Sequence, residues 1–173
     1  MSRIIIYGSQ YGTTRRYAEE LAERTGIPVI SYEEINDLSG YETIIHMGGL
    51  YAGGVMGLKN TMKALPKNAN FIIVTVGLSD VNDEKNIENI RMSIRRQLPG
   101  EIYDHARIFH LRGGIDYQKL NFAHRTMMTL LYNKAKKLPE EKKTAEVRAM
   151  IETFNQKVDF VDFHSLDQII DIL

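Results

Sequence analysis

Apolar residues in this chain fall in short blocks, separated by longer segments with helical spacing. The run Ile4-Ile5-Ile6 within residues 3–8 is short and β-branched, which predicts a strand buried on both faces. Residues 13–25 place Tyr17, Ala18, Leu21 and Ala22 on one helical face, and Gly26 predicts the stop. Residues 28–30 predict a second strand, and 41–47 a third that ends at Gly48-Gly49. A helix over 55–65 stops at Pro66. Residues 70–76 predict a fourth strand ending at Gly77, and 106–111 a fifth ending at Gly113-Gly114. Between them, Ile87, Ile90, Ile94 and Leu98 form one stripe of a helix over 83–98. Strands apolar on both faces and spaced by helices imply a doubly wound α/β fold around a parallel sheet.

The end of the chain breaks this alternation. Residues 120–137 predict a helix with Met127, Met128, Leu130, Leu131 and Tyr132 around its middle, and Lys134, Lys136 and Lys137 at its end. Another helix is expected over 144–157, then a short strand over 158–163 and a last helix through Leu173 capped by Ser165. The 173 residues suit a single domain spanning 1–173, with an insertion over about 115–157.

Composition narrows the chemistry. Lysine plus arginine equals aspartate plus glutamate at 22 each, so no global field draws nucleic acid, and none is expected as a partner. Without cysteine, thiol catalysis, disulfides and cysteine-ligated metals are excluded. No leader and no stretch of roughly 20 apolar residues is present, so a cytoplasmic location is expected. His46 and His110 fall inside strand patterns and read as core residues, while Glu33, Glu34, Asp80 and Asp83 read as solvated loop charges. No catalytic side-chain set stands out and no metal is called for, which suits chemistry carried by a cofactor.

The stretch Gly8-Ser9-Gln10-Tyr11-Gly12-Thr13-Thr14 lies where the first strand should give way to the first helix. Unpartnered amides at a helix start bind anions, and open α/β sheets bind ligands at the carboxyl ends of their strands. A triphosphate loop needs lysine where Thr13 stands, and a dinucleotide loop needs a further glycine. On the residues alone, a bare helix cap and a seat for one terminal phosphate both stand.

Ser9-Gln10-Tyr11-Gly12-Thr13-Thr14 resembles the phosphate loop of the flavodoxin superfamily, usually [ST]-x-[TD]-G-x-T, and departs from it at Tyr11. The resemblance implies a flavodoxin-like five-stranded sheet in the order 2-1-3-4-5 that binds FMN. Ser9, Gln10, Gly12, Thr13 and Thr14 would hold the phosphate, with Tyr11 contributing its backbone. The flavin ring would lie across the loops after strands three and four. These carry Gly49, Leu50, Tyr51, Ala52 and Gly53, and Gly77, Leu78, Ser79 and Asp80. Tyr51, the only aromatic in either loop, would stack on the ring.

Gly113-Gly114-Ile115-Asp116-Tyr117, then Leu120-Asn121-Phe122, Arg125 and Met127-Met128, is similar to the menaquinone-dependent protoporphyrinogen IX dehydrogenase family. That likeness implies an oxidoreductase in porphyrin biosynthesis that takes hydride from a porphyrinogen and passes electrons to menaquinone. Arg112, Lys119 and Arg125, with Tyr117 beside them, would meet the substrate and its propionates. The loop after strand three lacks the basic residue that family tends to carry there. For the helix over 120–137 three settings stand: core, a homodimer seam, or a peripheral membrane face bearing Met127, Met128 and Leu131. Two other functions also stand: a flavodoxin-type electron carrier or quinone reductase of unknown substrate, and a flavin-free regulatory or interaction domain.

Overall fold

The computed structural model describes residues 2–51 and 53–173. The flavin contact expected of Ala52 therefore lies outside the described residues. The elements run β1 (Arg3–Gly8), α1 (Thr13–Thr25), β2 (Val29–Ser31), β3 (Thr43–Tyr51), β4 (Gly54–Val55), α2 (Leu58–Ala64), β5 (Asn70–Gly77), α3 (Glu84–Gln97) and α4 (Gly100–His105). After these come β6 (Arg107–Arg112), β7 (Gly114–Asp116), α5 (Phe122–Ala135), α6 (Ala145–Thr153), β8 (Lys157–Asp159) and α7 (Asp167–Ile170).

The central sheet has the path β2-β1-β3-β5-β6, parallel throughout, with β4 folded back antiparallel on β3. Counting only the parallel strands, this is the expected order 2-1-3-4-5. Register explains the two-sided core. Ile5, Ile45 and Ile72 stand side by side and pack on Tyr17, Ala18 and Leu21 of α1 and Ile169 of α7. The alternate residues Ile4, Ile44 and Phe71, with Ile6 and Ile73, pack on Leu58 of α2 and Ile90 and Ile94 of α3. Ile5, Ile6, Ile44, Ile45 and Ile73 are fully buried, each worth about 1.5–3 kcal/mol of apolar transfer.

His46 sits in this second core layer between Ile6 and Ile73, fully buried as expected. Its Nδ1 lies 2.8 Å from Thr61 Oγ1 and its Nε2 3.0 Å from the Met56 carbonyl oxygen. Burial pulls its pKa down to about 4, so the ring is neutral near pH 7. His110 is also pulled to about 4, by burial and then by the Arg91 charge, and lies 2.7 Å from Thr75 Oγ1.

Several boundaries differ from the sequence expectation. β3 does not stop at Gly48-Gly49 but runs on to Tyr51, because the β4 residues return and pair with it. A Cβ on Gly48 would meet Val55 Cγ1 at 2.2 Å, so only glycine lets the hairpin close this tightly. Val55 is thereby spent in β4, and α2 starts only at Leu58. α4 and β7 were not expected. Ser165 does not cap the last helix: α7 carries no side-chain cap among the described residues, and the Asp162 carboxylate, accepting from the His164 amide at 3.0 Å, caps the 3-10 turn that precedes it.

Residues past β6 leave the sheet through β7 and return through β8. The two pair as an antiparallel ribbon, with Gly114 opposite Asp159 and Asp116 opposite Lys157. α5 and α6 hang from this ribbon. Asn121 and Thr144 cap them through their side-chain oxygens. Among the described residues no helix is long and apolar enough to cross a membrane.

Candidate functional site

The carboxyl ends of β1, β3, β5 and β6 open onto one cleft of about 420 Å³, counting the space at its mouth. It is lined by Gln10, Tyr11, Thr13 and Thr14 of the first loop and α1, Gly49, Leu50 and Tyr51 of β3, and Val76, Gly77 and Leu78 of β5 and its loop. Gly113, Gly114 and Glu146 complete the wall. The three stretches singled out from the sequence thus meet in space.

The first loop is a tight glycine turn into α1. The Gly12 amide donates to Ser9 Oγ at 3.0 Å, which curls the chain into α1, and Gly12 itself has φ 93. Among the described residues no side chain caps the first amides of α1, and no acidic residue sits in its first turn, so its positive end is uncompensated and suited to an anion. Thr14 is 2 % exposed, and its Oγ1 lies against Gly49, within 3.1 Å of where a Cβ there would stand. This donor set suits a phosphate.

Aromatic side chains fill the next part of the cleft. Tyr11 and Tyr51 meet edge to face with centroids 6.4 Å apart, and His124 of α5 meets Tyr11 in the same manner at 6.4 Å. The Gln10 amide nitrogen donates to His124 Nε2 at 3.1 Å. Each tyrosine hydroxyl donates to a methionine sulfur: Tyr51 to Met127 at 3.4 Å and Tyr11 to Met128 at 3.6 Å. Burial, with the Tyr51 and Tyr117 phenols nearby, pushes the Tyr11 hydroxyl up to about 12, so it stays neutral.

Met127 and Met128 therefore point inward, Met128 being only 6 % exposed, and they are not the outer face of α5. Packing against the two tyrosines turns the opposite side outward. Phe122, Leu130 and Leu131 are the large apolar residues that α5 leaves at the surface, Phe122 at 86 % and Leu130 at 65 % exposure.

The loop after β5 carries the other donors. Leu78 and Ser79 point their amides at the Glu146 carboxylate of α6, whereas Asp80 turns outward, its Oδ1 accepting from the Asn82 amide at 2.9 Å. Gly53, at the hairpin tip, lines a neighbouring pocket of about 760 Å³, its open mouth included, between the β3–β4 hairpin, α3 and the start of α6.

The residues expected to meet substrate are held in different ways. Arg112 is half-buried: its Nε donates to the Leu78 carbonyl at 3.0 Å and its guanidinium lies 3.7 Å over the Phe160 ring. Tyr117 is buried against Phe154, its pKa raised by burial, and its hydroxyl has no hydrogen-bond partner among the described residues. Lys119 is exposed. Arg125 is also exposed and donates through Nη2 to the Tyr117 carbonyl at 3.2 Å.

Glu146 and His124 escaped the sequence reading. Glu146 looks like any first-turn glutamate of a capped helix, and only the return of α6 to the sheet brings it to the cleft. His124 sits one turn before Met127 and Met128, so helical spacing alone would have put all three on one face.

Solved structures that resemble the chain include a protein of Bacteroides uniformis that carries a provisional flavoprotein name, at 14% identity over 64% of this chain and 88% of that one, with a TM-score of 0.46. A cysteine-to-alanine mutant of flavodoxin from Pseudomonas aeruginosa matches at 17% identity over 75% and 93%, with a TM-score of 0.40. A WrbA-like flavodoxin from Agrobacterium tumefaciens matches at 20% identity over 61% and 80%, with a TM-score of 0.38. No curated protein matches the chain. The flavodoxin domain model covers residues 4–142, well over half of the sequence, and reaches every strand of the central sheet. Matched over residues 4–142 and built on the parallel order β2-β1-β3-β5-β6, the chain belongs to the flavodoxin domain family.

Proposed function

We propose that this protein binds FMN in the cleft and acts as a flavin oxidoreductase. One observation carries the reading: an uncapped helix start, a tyrosine-lined wall and a row of backbone donors converge on a single cleft at the strand ends. The amides at the start of α1, with the Thr13 and Thr14 hydroxyls, hold the phosphate, and Gly49–Tyr51 and Gly77–Ser79 flank the ring. When bound, the flavin supplies hydride and electron transfer. The protein supplies orientation and exclusion of water. Tyr11, neutral because of its burial, adds no charge beside the ring. FMN is preferred over FAD because the loop offers one phosphate seat and no dinucleotide fingerprint.

Within this reading the substrate we favour is a porphyrinogen, with a menaquinone as acceptor. The support is the likeness of the segment Gly113–Tyr117 with Arg125 and the two methionines; of these, Gly113 and Gly114 line the cleft, and Met127 and Met128 accept from its two tyrosines. Of the three candidate cations, Lys119 and Arg125 are exposed to meet an acidic substrate, while Arg112 is engaged in holding the Leu78 loop. A quinone dissolved in lipid would give the outward Phe122 and Leu130 a purpose at a membrane surface.

Titration with FMN and FAD, followed by anaerobic turnover with protoporphyrinogen and menaquinone, tests both levels. Micromolar or tighter FMN binding with weaker FAD is expected, and equal affinity or no binding refutes the cofactor. FMN binding without porphyrinogen oxidation refutes the substrate alone.

A further inference from the structure

The donors of the loop after β5 are not waiting for a ligand; a side chain of the chain itself holds them. Glu146 Oε2 accepts from the Leu78 amide at 3.3 Å, and Oε1 accepts from the Ser79 amide at 3.3 Å and the Ser79 hydroxyl at 2.7 Å. Ser79 is 4 % exposed, so its bonds to Glu146 are shielded from solvent on the Ser79 side. The carboxylate sits close upon the strand end, where a Cβ on Gly77 would stand 2.5 Å from Oε1. Glu146 reaches this point from the insertion, 67 residues along the chain from Ser79.

Its position is also a boundary. The phosphate-loop cleft and the neighbouring 760 Å³ pocket share Leu50, Tyr51 and Glu146 as lining. The carboxylate therefore stands where the two spaces adjoin, beside the tyrosine that faces both.

We infer that Glu146 is a displaceable occupant of the seat for the flavin ring's carbonyl edge, and that its withdrawal joins the two spaces when flavin enters. This rests on the FMN reading above. A carboxylate presents two acceptor oxygens to the Leu78 and Ser79 donors, and the polar edge of a flavin ring likewise presents acceptors. The exchange leaves the backbone donors satisfied and returns the carboxylate to water, so neither state strands a buried polar group. Flavin affinity is then set in part by a competitor that the insertion delivers. Glu146 acts here as a specificity-determining residue: it admits ligands whose edge can replace three hydrogen bonds, and it excludes those bearing only a phosphate and an apolar body.

The test compares wild type, Glu146→Ala and Glu146→Gln, each titrated with FMN and with riboflavin by flavin fluorescence. Removing the competitor should tighten both ligands on the order of tenfold in the alanine variant. The glutamine variant, which keeps one acceptor oxygen, should gain about threefold. Hydrogen exchange supplies a second readout. In wild type, FMN should leave the Leu78 and Ser79 amides protected while exchange rises at the start of α6. A Glu146 that merely braces the fold would lower the melting temperature and weaken both ligands when replaced. Equal or weaker flavin binding by a folded glutamine variant overturns the inference and leaves the FMN reading intact. No binding by any of the three proteins overturns the FMN reading and this inference with it.

Discussion

Thr14→Val tests the phosphate seat with the least disturbance elsewhere. Valine has nearly the shape of threonine, and at 2 % exposure the new methyl stays among the atoms that packed on Oγ1, near Gly49. α1 should keep its length, since the backbone amide of residue 14 is untouched. What goes is one hydroxyl donor facing a doubly charged group. A hydrogen bond to a charged partner contributes about 1.5–3 kcal/mol, so FMN should bind roughly ten- to a hundredfold more weakly. Riboflavin, which has the same ring without the phosphate, provides the internal control: its affinity should not move. Fluorescence titration of both flavins against both proteins completes a cycle in which only the phosphate–hydroxyl pair differs. If FMN and riboflavin weaken together, the substitution has disturbed the cleft as a whole. If neither changes, the phosphate is not held at the start of α1.

Other consequences can be read in solution. The folded state resists protonation of His46 down to about pH 4, whereas an unfolded histidine protonates near 6.5, so the unfolded chain binds more protons between these values. Stability should therefore fall as pH drops from about 6.5 to 4, by up to about 3 kcal/mol from this residue. Urea unfolding at several pH values, with His46→Gln for comparison, reads it; an unchanged slope in the variant refutes the assignment. If α5 lies on lipid, the double change Phe122→Ser and Leu130→Ser should abolish sedimentation with anionic liposomes at low salt while sparing FMN binding. A wild type that never sediments refutes the membrane face.

Local patterns were legible where burial is two-sided. Ile4-Ile5-Ile6 and the 70–76 run had to be strands, and the Tyr17–Leu21 face and Gly26 located α1 to the residue. The turn over Gly8–Thr14 was legible as a strand-to-helix junction because its glycines and hydroxyls are local signals, and the structure carries it from the end of β1 into α1. Glycine misled at Gly48-Gly49, where it signalled a loop but serves the close return of β4. The methionines of α5 misled in another way. A helix with apolar residues all round does not declare which side is buried, and that side was decided by Tyr11 and Tyr51, more than 70 residues earlier in the chain. Glu146 was illegible for the same reason: its role comes from tertiary return, which helical periodicity does not encode.

The β7–β8 ribbon has an implication for how such a chain diversifies. Asp116 and Lys157 face each other across it, so the chain departs and comes back at nearly one point, about 5 Å between Cα atoms in a paired ladder. Everything strung between them behaves as a cassette. Its length can drift at small entropic cost, because closing a longer loop adds only about 0.6 kcal/mol per doubling. The parallel sheet, whose register is settled by β1, β3, β5 and β6, need not be renegotiated when the cassette changes. A scaffold of this kind can exchange the cover over its cleft, and with it the molecules admitted there, while the start of α1 beneath stays the same.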